Sequence, residues 1–197
     1  MPSNALKVER VYDASVAIDG VDAAGKTTLA DELVTPLERA GRSVIRASID
    51  GFHNPAVVRY QRGDKSPEGY FRDSFNYAGL IDALLDPLGP GGDRCYRRAI
   101  FAFRKDLPVD STMELAVQNA ILIFDGVFLL RPELRAYWDF SIFLRATFNV
   151  TMTRAETRDS QLHGSEAIVR QRYEERYVPG QQLLGHKGRP VQSAQKQ

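Results

Sequence analysis

Gly20-Val21-Asp22-Ala23-Ala24-Gly25-Lys26-Thr27 is the stretch that decides how this chain is read. It fits the pattern G-x-x-x-x-G-K-[ST], in which the glycines let the backbone curl until successive N–H groups point inward at phosphate oxygens. The helix after such a loop adds its positive N-terminal end. Lys26 is placed to reach the β- and γ-phosphates of a nucleotide, and Thr27 to offer its hydroxyl to Mg2+. Thr28 completes the candidate nucleotide-binding run from Gly20. The pattern carries this meaning between a strand and a helix, and the flanks supply both. Val16-Ala17-Ile18 is a short apolar run that stops at Asp19-Gly20, the pattern of a buried strand. Apolar residues at 29, 33, 34 and 37 give Thr27 to Ala40 helical spacing. Pro36 predicts a kink or a late break, and Gly41 suits the helix end.

Further along the chain, Ser43 to Ile49, Ala120 to Phe124 and Phe140 to Leu144 read as strands. Between them lie candidate helices at Ser74–Leu85, Pro132–Trp138, Asn149–Ser160 and Glu166–Val178. Strands alternating with helices predict an α/β fold: a doubly wound, mostly parallel sheet with helices on both faces. Ligands of such sheets bind beyond the carboxyl ends of the strands. Three of the four strands run into Asp-Gly, at Asp19-Gly20, Asp50-Gly51 and Asp125-Gly126, which gathers three carboxylates at that edge. Any one of these pairs alone reads as a turn. Phe52 to Asp73 loses all pattern, and a loop region that long is functional or mobile. Pro87 to Asp93 is a turn, and Tyr96 to Phe103 reads as the arm of a hairpin. Arg154 and Arg158 lie four apart, on one helix face. The polar, arginine-rich stretch 154–175 reads as a small helical lid with few apolar residues to anchor it and Gly164 as its hinge. Residues 185–197 read as a tail.

The 197 residues make about one domain, large enough for one full core. Apolar residues are 43% and charged residues 26% of the chain, which excludes wholesale disorder, collagen and a coiled-coil rod. Lys and Arg number 26 against 25 Asp and Glu, so no broad field points to nucleic acid or a membrane surface as a partner. The single cysteine, Cys95, excludes an internal disulfide and a cysteine-based zinc site. Neither a secretory signal nor an apolar run of membrane-spanning length stands out, and the expected location is cytoplasmic. The oligomeric state stays open, a homo-oligomer included.

The chain has no N-K-x-D string to read guanine, and its one Gly-Gly, Gly91-Gly92, sits in a turn rather than in a transporter-type signature. Its size suits a small-molecule kinase. Gly20 to Thr28, Asp50-Gly51-Phe52-His53, Phe124-Asp125-Gly126-Val127-Phe128 and Arg154-x-x-x-Arg158-Asp159 together resemble the uridine kinase and phosphoribulokinase family. Tyr173 to Gln182 resembles the helix that follows the lid in short bacterial members. The resemblance spans residues 14 to 184.

It implies a P-loop fold and transfer of phosphate from ATP, with Mg2+, to a small-molecule hydroxyl. It makes Asp50 the base that takes the acceptor's proton, and Asp125 the carboxylate that holds Mg2+ with Thr27, directly or through water. It makes Lys26, Arg154 and Arg158 the cations on the transferred phosphoryl. Phe52 and His53 stand beside the acceptor. Tyr96 matches the arm that covers a nucleoside base, where its ring either stacks or packs in the core. Where ribose-binding members place an aspartate, this chain has Asn76, whose amide can still hydrogen-bond a hydroxyl. After Gln182 the apolar last strand of the family is missing from the sequence. The implied substrate is a nucleoside, uridine or cytidine, phosphorylated at its 5′-hydroxyl. The alternatives are nicotinamide riboside, pantothenate or a sugar as acceptor, or a nucleotide-binding regulator with little catalysis.

Overall fold

A computed structural model describes residues 14–163 and 165–187. Four strands, β1 (Ala14–Gly20), β2 (Val44–Ser48), β7 (Ile121–Asp125) and β8 (Phe140–Leu144), form one sheet in the order β2-β7-β1-β8. All three of its ladders are parallel. Helix α1 (Lys26–Arg39) covers one face of the sheet, meeting Ile18, Ile121 and Ile123 through Ala30, Leu29, Leu33 and Leu37. The opposite faces of the same strands, Ala17, Ile45, Ala47, Leu122 and Phe124, enter the larger core. There they meet α3 (Pro67–Asp73), α4 (Tyr77–Leu80) and α5 (Asp86–Leu88). The period-two alternation of strand side chains assigns neighbouring residues to opposite cores. Burying each large apolar side chain of this kind is worth about 1.5–3 kcal/mol.

The helix predicted from Thr27 runs through Pro36 without breaking and ends three residues later at Arg39. Gly41, at φ 79°, caps it: its N–H bonds Glu38 O, and the N–H of Arg42 reaches back to Leu37 O. The helix expected from Ser74 begins only at Tyr77, because Asn76 caps it by accepting the Gly79 N–H at 2.8 Å. A π-helical stretch, Ile81–Leu85, then joins α4 to α5. The segment expected as a helix at Pro132–Trp138 holds a single 3-10 turn, Arg135–Tyr137.

The predicted hairpin arm is two short antiparallel ladders instead of one. β3 (Cys95–Tyr96) pairs with β6 (Glu114–Leu115), and within that loop β4 (Phe101–Ala102) pairs with β5 (Leu107–Pro108). Between the ladders the chain bonds elsewhere: Arg97 N–H donates to Ala83 O and Ile100 N–H to Gly51 O. Two helices, α2 (Ala56–Arg59) and α3, lie inside the segment read as irregular, the second capped by the Ser66 side chain, which accepts the Gly69 N–H.

Helix α6 (Phe148–His163), α7 (Glu166–Arg172), the π-helical Tyr173–Tyr177 and α8 (Val178–Lys187) follow β8. This region is better anchored than its polar sequence suggests. Met152, Ala155, Val169 and Tyr173 form a separate buried cluster that packs on Ala23. Gly164, the expected hinge, lies outside the described residues, as do residues 188–197 of the expected tail; 185–187 belong to α8. Among the described residues no strand follows β8, an edge strand on which Phe140 and Phe143 stay exposed. No described helix is long and apolar enough to cross a membrane.

Candidate active site

A cavity of about 930 Å³ opens where β1, β2 and β7 end, the edge at which a parallel sheet presents ligands. One wall is the loop between β1 and α1. Gly25 sits there at φ 96°, a left-handed conformation that a side chain would strain. No side chain caps the start of α1 and no acidic residue lies in its first turn. The helix therefore turns a positive end toward the cavity. Lys26, only 8% exposed, donates from Nζ to Val21 O at 2.8 Å, across the mouth of its own loop. Asp22 through Thr28 line the cavity, while Gly20 and Val21 form the turn behind them. Asp22 is fixed from two sides, accepting from Tyr70 Oη and Gln181 Nε2, both at 2.7 Å.

The three Asp-Gly carboxylates do gather at the strand ends, but they divide. Asp19, 1% exposed, turns away from the cavity and accepts the N–H groups of Gly20 at 2.6 Å and Leu130 at 2.9 Å. Burial pushes its carboxyl up to about 6. Asp125 and Asp50 line the cavity. Asp125 accepts from Thr27 Oγ1 at 2.7 Å and pairs with the Arg46 guanidinium at 2.8 Å. Arg46 lies on β2 and also pairs with Asp31 of α1 at 2.9 Å. Sequence reasoning missed Arg46; its signal was a lone arginine inside a short apolar strand.

Asp50 stands at the first turn beyond β2. Its side chain reaches the water of the cavity, yet the surrounding walls desolvate it, and Asp125 and Asp22 repel its charge. These effects, burial first, push its carboxyl up to about 6. Its position is fixed by its neighbours. Gly51 O accepts from Ile100, Phe52 O accepts from Asn76 N–H at 2.7 Å, and a Cβ on Gly51 would meet the Ala99 Cβ at 2.8 Å.

Arg154 and Arg158 of α6 both line the cavity, as their spacing predicted. Arg154 stands over Gly25 and has no ion-pair or hydrogen-bond partner among the described residues. Arg158 is held by Asp159 through two contacts, at 2.6 and 2.9 Å, and by Tyr173 Oη at 3.2 Å. Of the neighbouring arginines, Arg170 pairs with Glu156, and Arg176 is 2% exposed, donating to the carbonyls of Arg59, Gly63, Asp64 and Ser66. Arg176 thereby holds the loop expected to be irregular.

The side of the cavity beyond Asp50 differs from expectation. His53 is there, its Nδ1 3.0 Å from Asp50 O and its ring packed on Phe75 and Phe103. Burial, with the charge of Arg59 as a lesser cause, pushes His53 down to about 4, so it is neutral near pH 7. Phe52, Asn76 and Tyr96 are not at the cavity. Phe52 is fully buried against Phe124, Asn76 uses its Oδ1 to cap α4, and Tyr96 is 3% exposed with its hydroxyl between Arg98 and Glu114. In their place stand Arg59, Tyr60, Phe103 and Arg104, none of which the sequence singled out.

Among the described residues no three His, Cys, Asp or Glu side chains group to hold a metal. The Thr27 hydroxyl beside the Asp125 carboxylate nevertheless fits Mg2+, which binds through one or two protein groups, phosphate oxygens and water rather than in a protein cage.

A glycine-rich strand–loop–helix opening at the carboxyl edge of a parallel sheet is the core of the P-loop nucleotide-binding fold, and this chain has that fold. The sequence profile of the phosphoribulokinase / uridine kinase family matches residues 15–177, and the chain belongs to that family of kinases acting on small substrates. No curated protein sequence matches it. Similar solved structures include a possible uridine kinase from Bacillus stearothermophilus, 22% identical with a TM-score of 0.72, over 96% of this chain and 90% of that one. A candidate fructose transport system kinase from a Silicibacter species is 21% identical with a TM-score of 0.74, over 90% and 87% of the two chains. D-glycerate 3-kinase from Cryptococcus neoformans is 13% identical with a TM-score of 0.55, over 86% and 80%. At these identities the likeness is one of fold.

Proposed function

We propose that the chain transfers the γ-phosphoryl group of Mg-ATP to a hydroxyl of a small molecule, with Asp50 as the base. The observation that carries this is a single cavity that holds the phosphate loop, Asp125 and the Asp50 carboxylate together. A carboxylate tuned toward neutral pH is suited to taking a proton from a hydroxyl. The amides at the start of α1 and the Lys26 ammonium bind the triphosphate, and Thr27 with Asp125 would hold Mg2+. Bound by these two residues, Mg2+ would supply positive charge against the phosphate oxygens. Asp50 orients the acceptor hydroxyl and accepts its proton as the oxygen–phosphorus bond forms. The bond from the γ-phosphorus to the bridging oxygen breaks, and its electron pair leaves with ADP. Arg154, which has no competing partner among the described residues, meets the charge that develops on the transferred group. Arg158 does so by sharing its guanidinium with Asp159. Together α6 and α7 act as the lid that excludes water.

The nucleoside expectation has less support than the reaction itself. Asn76 and Tyr96, the residues that were to read ribose and base, are occupied away from the cavity. The experiment is ADP release from Mg-ATP across nucleosides, vitamins and sugars, neutral and charged. Acceptor-dependent release is expected. Tight ATP binding with no acceptor-dependent release would favour a nucleotide-binding regulator instead.

A further inference from the structure

Arg46 is the one charged residue of β2, a strand otherwise made of Val44, Ile45, Ala47 and Ser48. Strand alternation puts Ile45 and Ala47 in the larger core and turns Val44, Arg46 and Ser48 to the opposite face. That face is the one α1 covers: Val44 packs there with Leu29, Leu33, Ile121 and Ile123. Arg46 is therefore a cation beneath a helix, its side chain 19% exposed. A charge in such a place loses hydration and needs specific partners.

Its partners close a ring. Nη2 stands 2.8 Å from Asp125 Oδ1, Nε donates to Asp31 Oδ1 at 2.9 Å, and Nη1 donates to Ala47 O at 2.5 Å. Asp31 lies about one helical turn past Thr27 on α1. Thr27 Oγ1 in turn donates to Asp125 Oδ2 at 2.7 Å. The path Thr27–Asp125–Arg46–Asp31 thus leaves and rejoins the same helix, next to the phosphate loop. It runs from a surface carboxylate, Asp31 at 63% exposed, to a buried one, Asp125 at 3%. The two oxygens of Asp125 are held differently. Oδ2 has the Thr27 hydroxyl. Oδ1 is buried and accepts no hydrogen bond from a described residue, because Arg46 Nη2 is close to it but not aligned to donate. The Arg46 guanidinium is the one cation in ion-pair contact with Asp125 among the described residues. Asp50 lines the same cavity, and its negative charge adds to the need for a cation here.

We infer that Arg46 is a positioning residue for the nucleotide site: anchored to α1 through Asp31, it keeps the Asp125 carboxylate turned with Oδ2 toward Thr27, where Mg2+ would bind. The inference rests on the proposed phosphotransfer, in which Thr27 and Asp125 hold the ion, and adds the group that fixes one of them. Arg46 does not line the cavity, so it acts through Asp125 and touches no substrate. Groups that orient a metal-binding side chain are each worth about 10- to 100-fold in metal affinity.

The test reads binding rather than turnover. Affinity of the full chain for β,γ-methylene-ATP is measured in EDTA and then as Mg2+ is raised to saturation. Arg46→Met keeps much of the apolar stem and removes the charge. It should raise the Mg2+ midpoint about 10- to 100-fold and leave affinity in EDTA near that of the parent. Arg46→Lys restores a charge without the fork that reaches Asp125 and Asp31 together, so it should recover part of the loss. Asp31→Asn, at an exposed position, loosens the anchor and should move the same midpoint by a smaller factor. Thermal melts separate positioning from stability. If Arg46 only ties the sheet to α1, Arg46→Met melts lower while its Mg2+ midpoint matches the parent, and the inference is overturned. Equal loss of affinity with and without Mg2+ overturns it as well. Should Arg46→Met not fold, unmoved midpoints in both Arg46→Lys and Asp31→Asn overturn it. A parent that binds the analogue without regard to Mg2+ defeats the proposed site and the inference with it, whereas a Mg2+-dependent parent with unmoved variants defeats the inference alone.

Discussion

The two ends of the cavity are built in opposite ways. The phosphate end is one continuous stretch, Gly20 to Thr28, whose geometry is local: a left-handed glycine, an uncapped helix start and a lysine folded across its own loop. The acceptor end is assembled from His53, Arg59, Phe75, Phe103 and Arg104, brought together from three separate segments by loop contacts. The first end fixes a reaction class and is shared by many enzymes. In the proposed reaction the second would select what is phosphorylated, and His53, Arg59, Phe75 and Phe103 reach it through long-range contacts. Damage to the first end should therefore be catalytic and general, and damage to the second selective for acceptor.

The sharpest break would come from Lys26→Ala. Removing the ammonium should cost at least about 10²-fold in kcat, with every acceptor affected alike and thermal unfolding unchanged, because the lysine contacts its own loop rather than the core. Near wild-type turnover by the folded variant would end the phosphate-loop assignment. Arg154→Ala and Arg158→Ala should each lower kcat by roughly tenfold to 10²-fold while KM for ATP moves much less, since the charge they meet develops in the transition state. Steady-state kinetics on the two variants separates their roles: Arg158 shares its guanidinium with Asp159, so its loss should cost less than that of Arg154.

Gly51→Ala probes the acceptor end through the backbone. Its new Cβ would crowd Ala99, and repacking should cost about 1–3 kcal/mol in denaturant unfolding. KM for the acceptor should rise, and ATP affinity should hold. Equal losses for both substrates would mean that the two ends are not independent.

The smallest effect is on pH dependence. Asp50 titrates at about 6 in the folded chain against an ordinary carboxyl near 4, so the ionised base is lost on acidification. kcat/KM for the acceptor should rise with pH through about 6 and then level off. Asp19 is raised to about 6 as well. A carboxyl that binds its proton more tightly when folded favours the folded state below its unfolded value, and that contribution fades as pH rises from about 4 to about 6. Asp19→Asn should flatten this part of the stability profile in thermal melts across pH, with the acid limb of the rate kept.

What the sequence revealed follows the same division. The order of strands and helices, the parallel sheet and the phosphate loop were legible because their signals are short and periodic. Asp125 ends β7 and Asp50 lies in the turn just beyond β2, so the Asp-Gly signal found both, yet Asp19 carries the same signal and serves the fold, accepting from Gly20 and Leu130. Only the direction of its side chain tells it apart. Asn76 and Tyr96 were read by position along the chain, but a helix cap and a side-chain triad with Arg98 and Glu114 had already claimed them. Arg46 and Arg59 carry no local pattern, since their partners Asp31, Asp125 and Asp106 lie on other elements, and Arg104 pairs with no described residue. The apolar cluster of the C-terminal helices, Met152, Ala155, Val169 and Tyr173, was hidden among charged neighbours because it is spread over two helices and the π-helical turn that follows.

Asp50→Asn tests the central claim most directly, with kcat and the dissociation constant for ATP measured on the same folded protein. The amide keeps the size and the hydrogen bonds of the side chain and removes its ability to take a proton. The account predicts that kcat falls by about 10²-fold or more, the scale of losing a positioned general base, while ATP affinity stays within a few-fold of the parent. Turnover that survives the substitution would contradict it. So would a collapse of ATP binding, which would move Asp50 to the metal and leave the acceptor without its base.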